Sequence, residues 1–127
     1  MTAPDKLHYT RDHEWVRLEG EIATIGITDH AQEELSDVVF VELPDLGDID
    51  VGSPVAVVES VKAASDIFSP VSGLIIGANA LLEDAPEMIN NDPLESGWIF
   101  KMTLHNPEEL DNLMNLASYK QFLDSIK

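Results

Sequence analysis

Lys62 is the residue whose surroundings most suggest chemistry. Between Arg17 and Lys101 it is the sole Lys or Arg, in a stretch that carries seventeen Asp and Glu. It falls in Glu59-Ser60-Val61-Lys62-Ala63-Ala64-Ser65-Asp66, between two strand-like segments. A bend there would hold its ε-amine out in water, where another enzyme can reach it. Acylation of such an amine removes its charge and adds length. Exposed lysines in turns are also common surface residues, so composition alone leaves a solubilising charge as the competing reading. The other reactive residue types offer less. There is no cysteine, which excludes a disulfide framework, a thiolate metal site and a thiol nucleophile. His8, His13, His30 and His105 lack metal-ligand spacing, and His30 with Glu33 and Glu34 reads as a surface contact on a helix. No phosphate-cradling glycine loop and no nucleophile motif occurs. Trp15 and Trp98 read as packing residues or partner anchors.

The chain that must position Lys62 has 127 residues, a formal net charge of −17 and a hydrophobic share of 44%. That length corresponds to one domain, and that hydrophobic share is too high for a disordered acidic tail. The charge argues against nucleic-acid binding, which needs Lys and Arg against phosphate, and against docking on anionic membranes. It favours long-range attraction to basic protein surfaces, weakened by salt. No apolar run approaches the ~18 residues of a spanning helix. Met1 runs into Thr2, Ala3, Pro4 and Asp5 without a basic or apolar leader, so the expected compartment is the cytoplasm.

Strand patterns recur along most of the chain. Residues 14–19 and 22–27 read as a hairpin about Gly20. A short helix follows, capped either by Asp29 with Gln32 as a capping box or by Thr28; Ala31 and Leu35 face inward, with Gln32 less clearly so. Residues 38–43 are β-branched and aromatic, hence strand. Residues 53–60 lack clean alternation, which predicts a strand covered on both sides. Short strands are expected at 66–69, 74–78 and 98–104. Pro44 to Gly47 and Pro70 to Gly73 share a Pro-x-x-Gly spacing suited to reversing loops and hint at an internal β-repeat. Residues 80–91 read as loop with one helical turn near 86–89. Asn106-Pro107-Glu108-Glu109 is a helix start, and Ser118 with Gln121 a second capping box. Beyond it Tyr119, Phe122, Leu123 and Ile126 form one helical stripe. The expectation is one domain over 1–127, with a β core at about 7–104 and a helical extension at 106–127.

Several segments together resemble the glycine cleavage system H-protein family. Val57-Val58-Glu59-Ser60-Val61-Lys62-Ala63-Ala64-Ser65, followed by Ser69-Pro70-Val71-Ser72-Gly73, is similar to that family's lipoyl-lysine hairpin. His13-Glu14-Trp15-Val16, Ile25-Gly26-Ile27-Thr28-Asp29-His30-Ala31-Gln32 and Val38-Val39-Phe40-Val41-Glu42-Leu43-Pro44 match in order and spacing. So do Asn91-Asp92-Pro93 and Gly97-Trp98. The likeness runs from about Leu7 to the C-terminus. One position departs: the family usually has Gly where Ser36 stands, and a positive φ there would cost Ser about 1 kcal/mol.

The resemblance implies a mainly β fold, a lipoyl-domain-like barrel-sandwich hybrid of two antiparallel sheets with short helices, including C-terminal ones. It implies lipoate in amide linkage on Lys62, and a carrier rather than an enzyme. Such a carrier would take an aminomethyl group from a pyridoxal-phosphate glycine decarboxylase. An aminomethyltransferase would pass that group to tetrahydrofolate, and dihydrolipoamide dehydrogenase would reoxidise the arm. A lipoate ligase or a lipoyl/octanoyl transferase would attach it, with Glu59 and Gly73 as candidates for what that enzyme recognises. A long arm on a stiff hairpin raises the effective concentration of its sulfurs at each partner, and the missing cysteines remove internal thiols that would exchange with it. The aminomethyl cargo is a primary amine, so nearby carboxylates would hold it and shield the labile carbon–sulfur bond. Glu14 is the first candidate for this, then Asp66 and Asp12. Three rivals stand beside this reading: a related lipoyl-relay protein, which hands lipoate to other complexes; the lipoyl or biotinyl domain of a transacylase or carboxylase, disfavoured by the C-terminal helix signals and by the lack of Met-Lys-Met at Lys62; and an unmodified acidic interaction protein.

Overall fold

The structure is a computed structural model, and it describes residues 4–126. The leaderless start read at Met1, Thr2 and Ala3 lies outside the described residues, as does Lys127. After a 3-10 turn at Pro4–Lys6, nine strands run in chain order: β1 His8–Tyr9, β2 Glu14–Glu19, β3 Ile22–Ile27, β4 Val38–Glu42, β5 Gly47–Ile49, β6 Pro54–Ser60, β7 Ala64–Phe68, β8 Gly73–Ala78 and β9 Phe100–Leu104. Four short helices are interspersed: α1 Asp29–Leu35, α2 Leu81–Asp84, α3 Met88–Asn91 and α4 Leu116–Ser125. A second 3-10 turn spans Pro107–Asn112.

The strands form two antiparallel sheets. The larger has the order β1-β2-β3-β9-β8-β5 and the smaller the order β4-β6-β7. Mainly β architecture in two antiparallel sheets, with short helices that include a C-terminal one, is the expected fold class. Alternating inward residues of both sheets, among them Val16, Ile25, Val41, Val58, Ile67, Ile75 and Met102, make one buried cluster. A second cluster of Leu7, Tyr9, Trp15 and Tyr119 joins the start of the chain to α4. Trp15 is fully buried and lies against Gly26, its cross-strand partner, where a Cβ would meet the indole at 2.6 Å.

The two Pro-x-x-Gly corners do equivalent work. Each takes the chain from an edge of the small sheet, β4 or β7, into the large sheet, as β5 or β8. β5 and β8 then pair antiparallel, with Gly47 opposite Ile75 and Ile49 opposite Gly73. The short repeat therefore corresponds to two like strand–corner–strand units.

Several boundaries differ from expectation. β1 and β5 were not foreseen, because two or three residues carry no readable period. β6 is not covered on both sides: Ala56 and Val58 are buried, Val55 and Val57 half-buried and Glu59 exposed. A register shift between Pro54 and Ala56 blurs its alternation. Residues 80–91 hold two helical turns rather than one. Thr28, not Asp29, caps α1, accepting from the Ala31 amide, while Gln32 bonds Asp29 within the helix. α4 begins before the Ser118 capping box, because Asn115 takes the Ser118 amide and so becomes the cap. Ile126 falls beyond α4 and is half exposed, so it leaves the stripe.

Candidate functional site

Lys62 sits where two strands meet at a bend. β6 pairs antiparallel with β7 up to Glu59 opposite Ala64, and the Ser60 amide closes the turn on the Ala63 carbonyl at 2.8 Å. Ser60 stiffens the bend from inside: its Oγ accepts from the Lys62 and Ala63 amides, each at 3.1 Å, and bonds the Ala63 carbonyl at 3.0 Å. The Val61 amide donates to the Asp37 carbonyl at 3.0 Å, which ties the bend to the segment after α1. Lys62 is exposed. Its amine reaches across to the Glu34 carbonyl at 3.1 Å, near the C-terminus of α1. A rigid base with an accessible amine fits the covalent attachment of a long acyl group.

Glu34 also borders a cavity of about 150 Å³ between α1, β7 and the segment before β2. Asp12, Asp66 and Ser65 bring polar atoms to its wall, and Ile27, Leu35 and Ile67 bring apolar surface. That volume equals roughly five waters at their liquid volume, so it suits the head of an arm rather than its length. Ser65 and Asp66 are three and four residues from Lys62, so no more than about 10–13 Å away even along a fully extended chain. His13 is part of the wall too. Burial, and next to it His30, push the His13 imidazole below its usual value, against the pull of Asp12 and Glu34. It is therefore neutral at pH 7, and the charge facing the cavity is acidic.

The candidate residues thus separate. Asp12 and Asp66 meet at the cavity. Glu14, the first candidate, does not stand open to a visiting amine: it is 2% exposed. Its Oε1 accepts from the Thr10 hydroxyl at 2.9 Å and its Oε2 from the Phe68 amide at 3.0 Å. Burial raises its pKa to about 7, against those two hydrogen bonds. Glu14 fastens β2 to the end of β7, beneath the site. Glu59 is exposed on β6, three residues from Lys62. Gly73 lies past the far end of β7 from the bend. Its φ is not positive; a Cβ there would strike the Thr103 carbonyl oxygen and come within 2.8 Å of the Met102 Cε, so its absent side chain lets β8 approach β9.

Two features escaped the sequence reading. Asn90, on α3, holds the end of α1: its Oδ1 takes the Val38 amide at 2.8 Å, and its Nδ2 donates to the Ser36 carbonyl at 2.7 Å and to Gln32 at 3.1 Å. Tyr119, on α4, reaches the site's rear wall, with its hydroxyl 2.8 Å from His13 Nδ1 and 2.7 Å from Thr28 Oγ1. Nothing in the spacing of Tyr119 and His13, which are 106 residues apart, signals that pairing. The surface contact expected of His30 is there, to Glu34 at 3.5 Å. Among the described residues no cluster of three or more His, Asp or Glu has the arrangement of a metal site. Among those residues, too, no helix is long and apolar enough to cross a membrane.

Comparison with known proteins gives one consistent answer. The model of the family described as glycine cleavage H-protein matches residues 7–126. The glycine cleavage system H protein of Parvibaculum lavamentivorans is 53% identical over 122 residues, covering 95% of this chain and 98% of that one. That of Xanthobacter autotrophicus is 51% identical over 121 residues, with 94% and 97% covered. A crystal structure of a glycine cleavage system H protein from Mycobacterium marinum superposes with a TM-score of 0.81 at 32% identity, covering 94% of this chain and 97% of that one.

Proposed function

The chain belongs to the glycine cleavage H-protein family, and from that premise we propose that Lys62 is the residue on which it carries lipoate. Its role is that of the lipoyl carrier of the glycine cleavage system, and it works with the enzymes of that system without being a catalyst itself. The finer reading is a shuttle. The carrier receives the aminomethyl group of glycine from the pyridoxal-phosphate decarboxylase and delivers it to the tetrahydrofolate-dependent aminomethyltransferase. It then presents the reduced arm to dihydrolipoamide dehydrogenase. When bound, the lipoyl group supplies the disulfide that takes the cargo with reduction and the dithiol that is later reoxidised.

The observation that carries the assignment is the exposed Lys62 amine on a bend braced by Ser60 and Asp37. Attachment needs an activated donor such as lipoyl adenylate from a lipoate ligase, or a thioester from a lipoyl/octanoyl transferase. After losing a proton to water, Nζ attacks the donor's acyl carbon. The C–N bond forms, the bond from that carbon to the phosphate oxygen or thioester sulfur breaks, AMP or the thiolate leaves with the electron pair, and the nitrogen gives up a second proton to the leaving group or to water. The amide keeps one N–H, so the hydrogen bond to the Glu34 carbonyl survives acylation and aims the arm's root at the adjoining cavity.

In that cavity Asp12 and Asp66 hold the cargo's ammonium, and Ile27, Leu35 and Ile67 exclude water. Glu14 acts by supporting β7 from below, and Glu59 is proposed as part of what the attaching enzyme reads. Gly73 contributes by closing β8 on β9. The same reading takes the chain as one cytoplasmic folding unit, in which the C-terminal extension is not a separate part: Met114 bridges Tyr9, and Tyr119 stacks on Tyr9 at 4.7 Å. The lipoyl-relay role is the second reading, since it uses the same hairpin.

Expression with lipoate and a lipoate ligase, followed by intact mass, tests the attachment. One lipoyl addition is expected on the wild type and none on Lys62→Arg; an unmodified wild type would overturn it. Glycine-dependent carboxyl exchange with the decarboxylase then separates the two roles, because a relay protein would support none.

A further inference from the structure

The small sheet turns one face to the core through Val41, Val58 and Ile67, all nearly inaccessible. Its other face is patterned. Phe40 lies opposite Glu59, and Glu59 opposite Ala64; one row further from the bend, Glu42 lies opposite Val57, and Val57 opposite Asp66. Phe40 is 52% exposed on the edge strand β4, and Val61, at the bend, is 68% exposed. The register shift between Val38 and Phe40 leaves Val39 turned outward as well. The outcome is an apolar centre with carboxylates interleaved, beginning beside the residues that carry Lys62.

We propose that this face, centred on Phe40 and flanked by Glu42 and Glu59, is the docking surface for the enzyme that acylates Lys62, and that the partner meets it with an apolar socket ringed by Lys and Arg. Two arguments select that occupant. The first is charge: the carboxylates of Glu42 and Glu59 flanking an aromatic anchor attract a basic rim and repel an acidic one. The second is reach. An enzyme that works on the arm's sulfurs meets them at the far end of a long tether and needs no contact near its root. An enzyme that forms the amide must bring its acyl donor to bonding distance of Nζ itself. Phe40 pairs directly across from Glu59, three residues from Lys62, so a partner seated on Phe40 has its active site over the bend.

This inference rests on Lys62 as the acylated residue. The test uses the full-length unmodified protein and a lipoate ligase with ATP and lipoate, followed by intact mass over a range of carrier concentrations. Phe40→Ser is expected to raise KM for the carrier at least tenfold with kcat within about twofold, and Val61→Ser to raise it less. Phe40→Leu should stay near wild type. Leu46→Ser, an exposed apolar residue beyond the far end of β4, should leave KM unchanged. Calorimetric titration of ligase with carrier should show the same loss of affinity, and urea midpoints should show that the variants are folded. Normal ligation of both Phe40→Ser and Val61→Ser would overturn the surface while leaving Lys62 as the attachment site. A loss confined to decarboxylase-dependent exchange would also overturn it, by assigning the face to that enzyme. A wild type that takes up no lipoate would overturn the attachment reading and this one with it.

Discussion

Ser36 holds a backbone conformation that suits glycine. It ends α1 at φ 65°, ψ −151°, a region that costs a residue with a Cβ about 1–3 kcal/mol. The geometry persists because the neighbourhood fixes it from both sides: the Ser36 amide bonds the Gln32 carbonyl, and Asn90 grips the Ser36 carbonyl. Ser36→Gly should therefore stabilise the fold by about 1 kcal/mol, once the greater freedom of unfolded glycine is subtracted. A urea midpoint no higher than that of the wild type would show that no strain is stored there. Glu14 gives a second prediction, with its sign set by burial. Its folded pKa of about 7 lies above the ordinary glutamate value of 4.5, so the folded state binds the proton more tightly. Stability from this group is fully present below pH 4.5 and is lost as pH rises through 7, a span of roughly 3 kcal/mol. Glu14→Gln keeps an acceptor for the Phe68 amide and cannot ionise. Subtracting its urea midpoints from those of the wild type between pH 5 and 8 should isolate a falling slope; parallel curves would refute the assignment.

At the scale of elements, what the sequence discloses follows its periodicities. The β2–β3 hairpin was legible because Gly20 sits between two strands of full length. The β6–β7 hairpin that carries Lys62 is legible through residue types rather than pattern: Val55 to Val58 give no clean period, and its one covered face comes from pairing with β4 and β7, which local sequence does not encode. β1 and β5 stayed hidden for the same reason, as each owes its conformation to a neighbour. Helix starts were read correctly where one residue had the cap to itself, as at Asn106. They were misread where two competed, as with Thr28 and Asp29, or Asn115 and Ser118. The site was half legible. Residue types single out the exposed Lys62 and the carboxylates of Asp12 and Asp66, which line one cavity, but an acidic residue beside a strand gives no sign of which way it faces, and Glu14, the first candidate, lies buried. Asn90 and Tyr119 act across 50 residues or more, and a polar residue in a loop or on an apolar helix stripe carries no mark of its distant partner.

At the scale of the whole molecule, the net charge of −17 sets how partners approach. Lys62 is the only Lys or Arg between Arg17 and Lys101, and the proposed acylation would remove its charge, making the modified carrier one unit more acidic at the end it presents. An oriented field of this sign speeds encounter with basic faces by about 10- to 1000-fold at low ionic strength. Screening shortens its range from about 10 Å at 0.1 M salt to about 3 Å at 1 M. The apolar contact at Phe40 responds differently, because burial of a ring is not weakened by screening. The two contributions therefore separate on a plot of log KM for the carrier against log salt in the ligase assay. The wild type should rise about tenfold between 0.05 and 0.5 M NaCl. Glu42→Gln with Glu59→Gln should flatten that slope, whereas Phe40→Ser should lift the whole line and leave its slope in place. A wild-type line without slope would mean that the acidic surface serves solubility alone, and a Phe40→Ser line of altered slope would mean that the ring acts by placing the carboxylates.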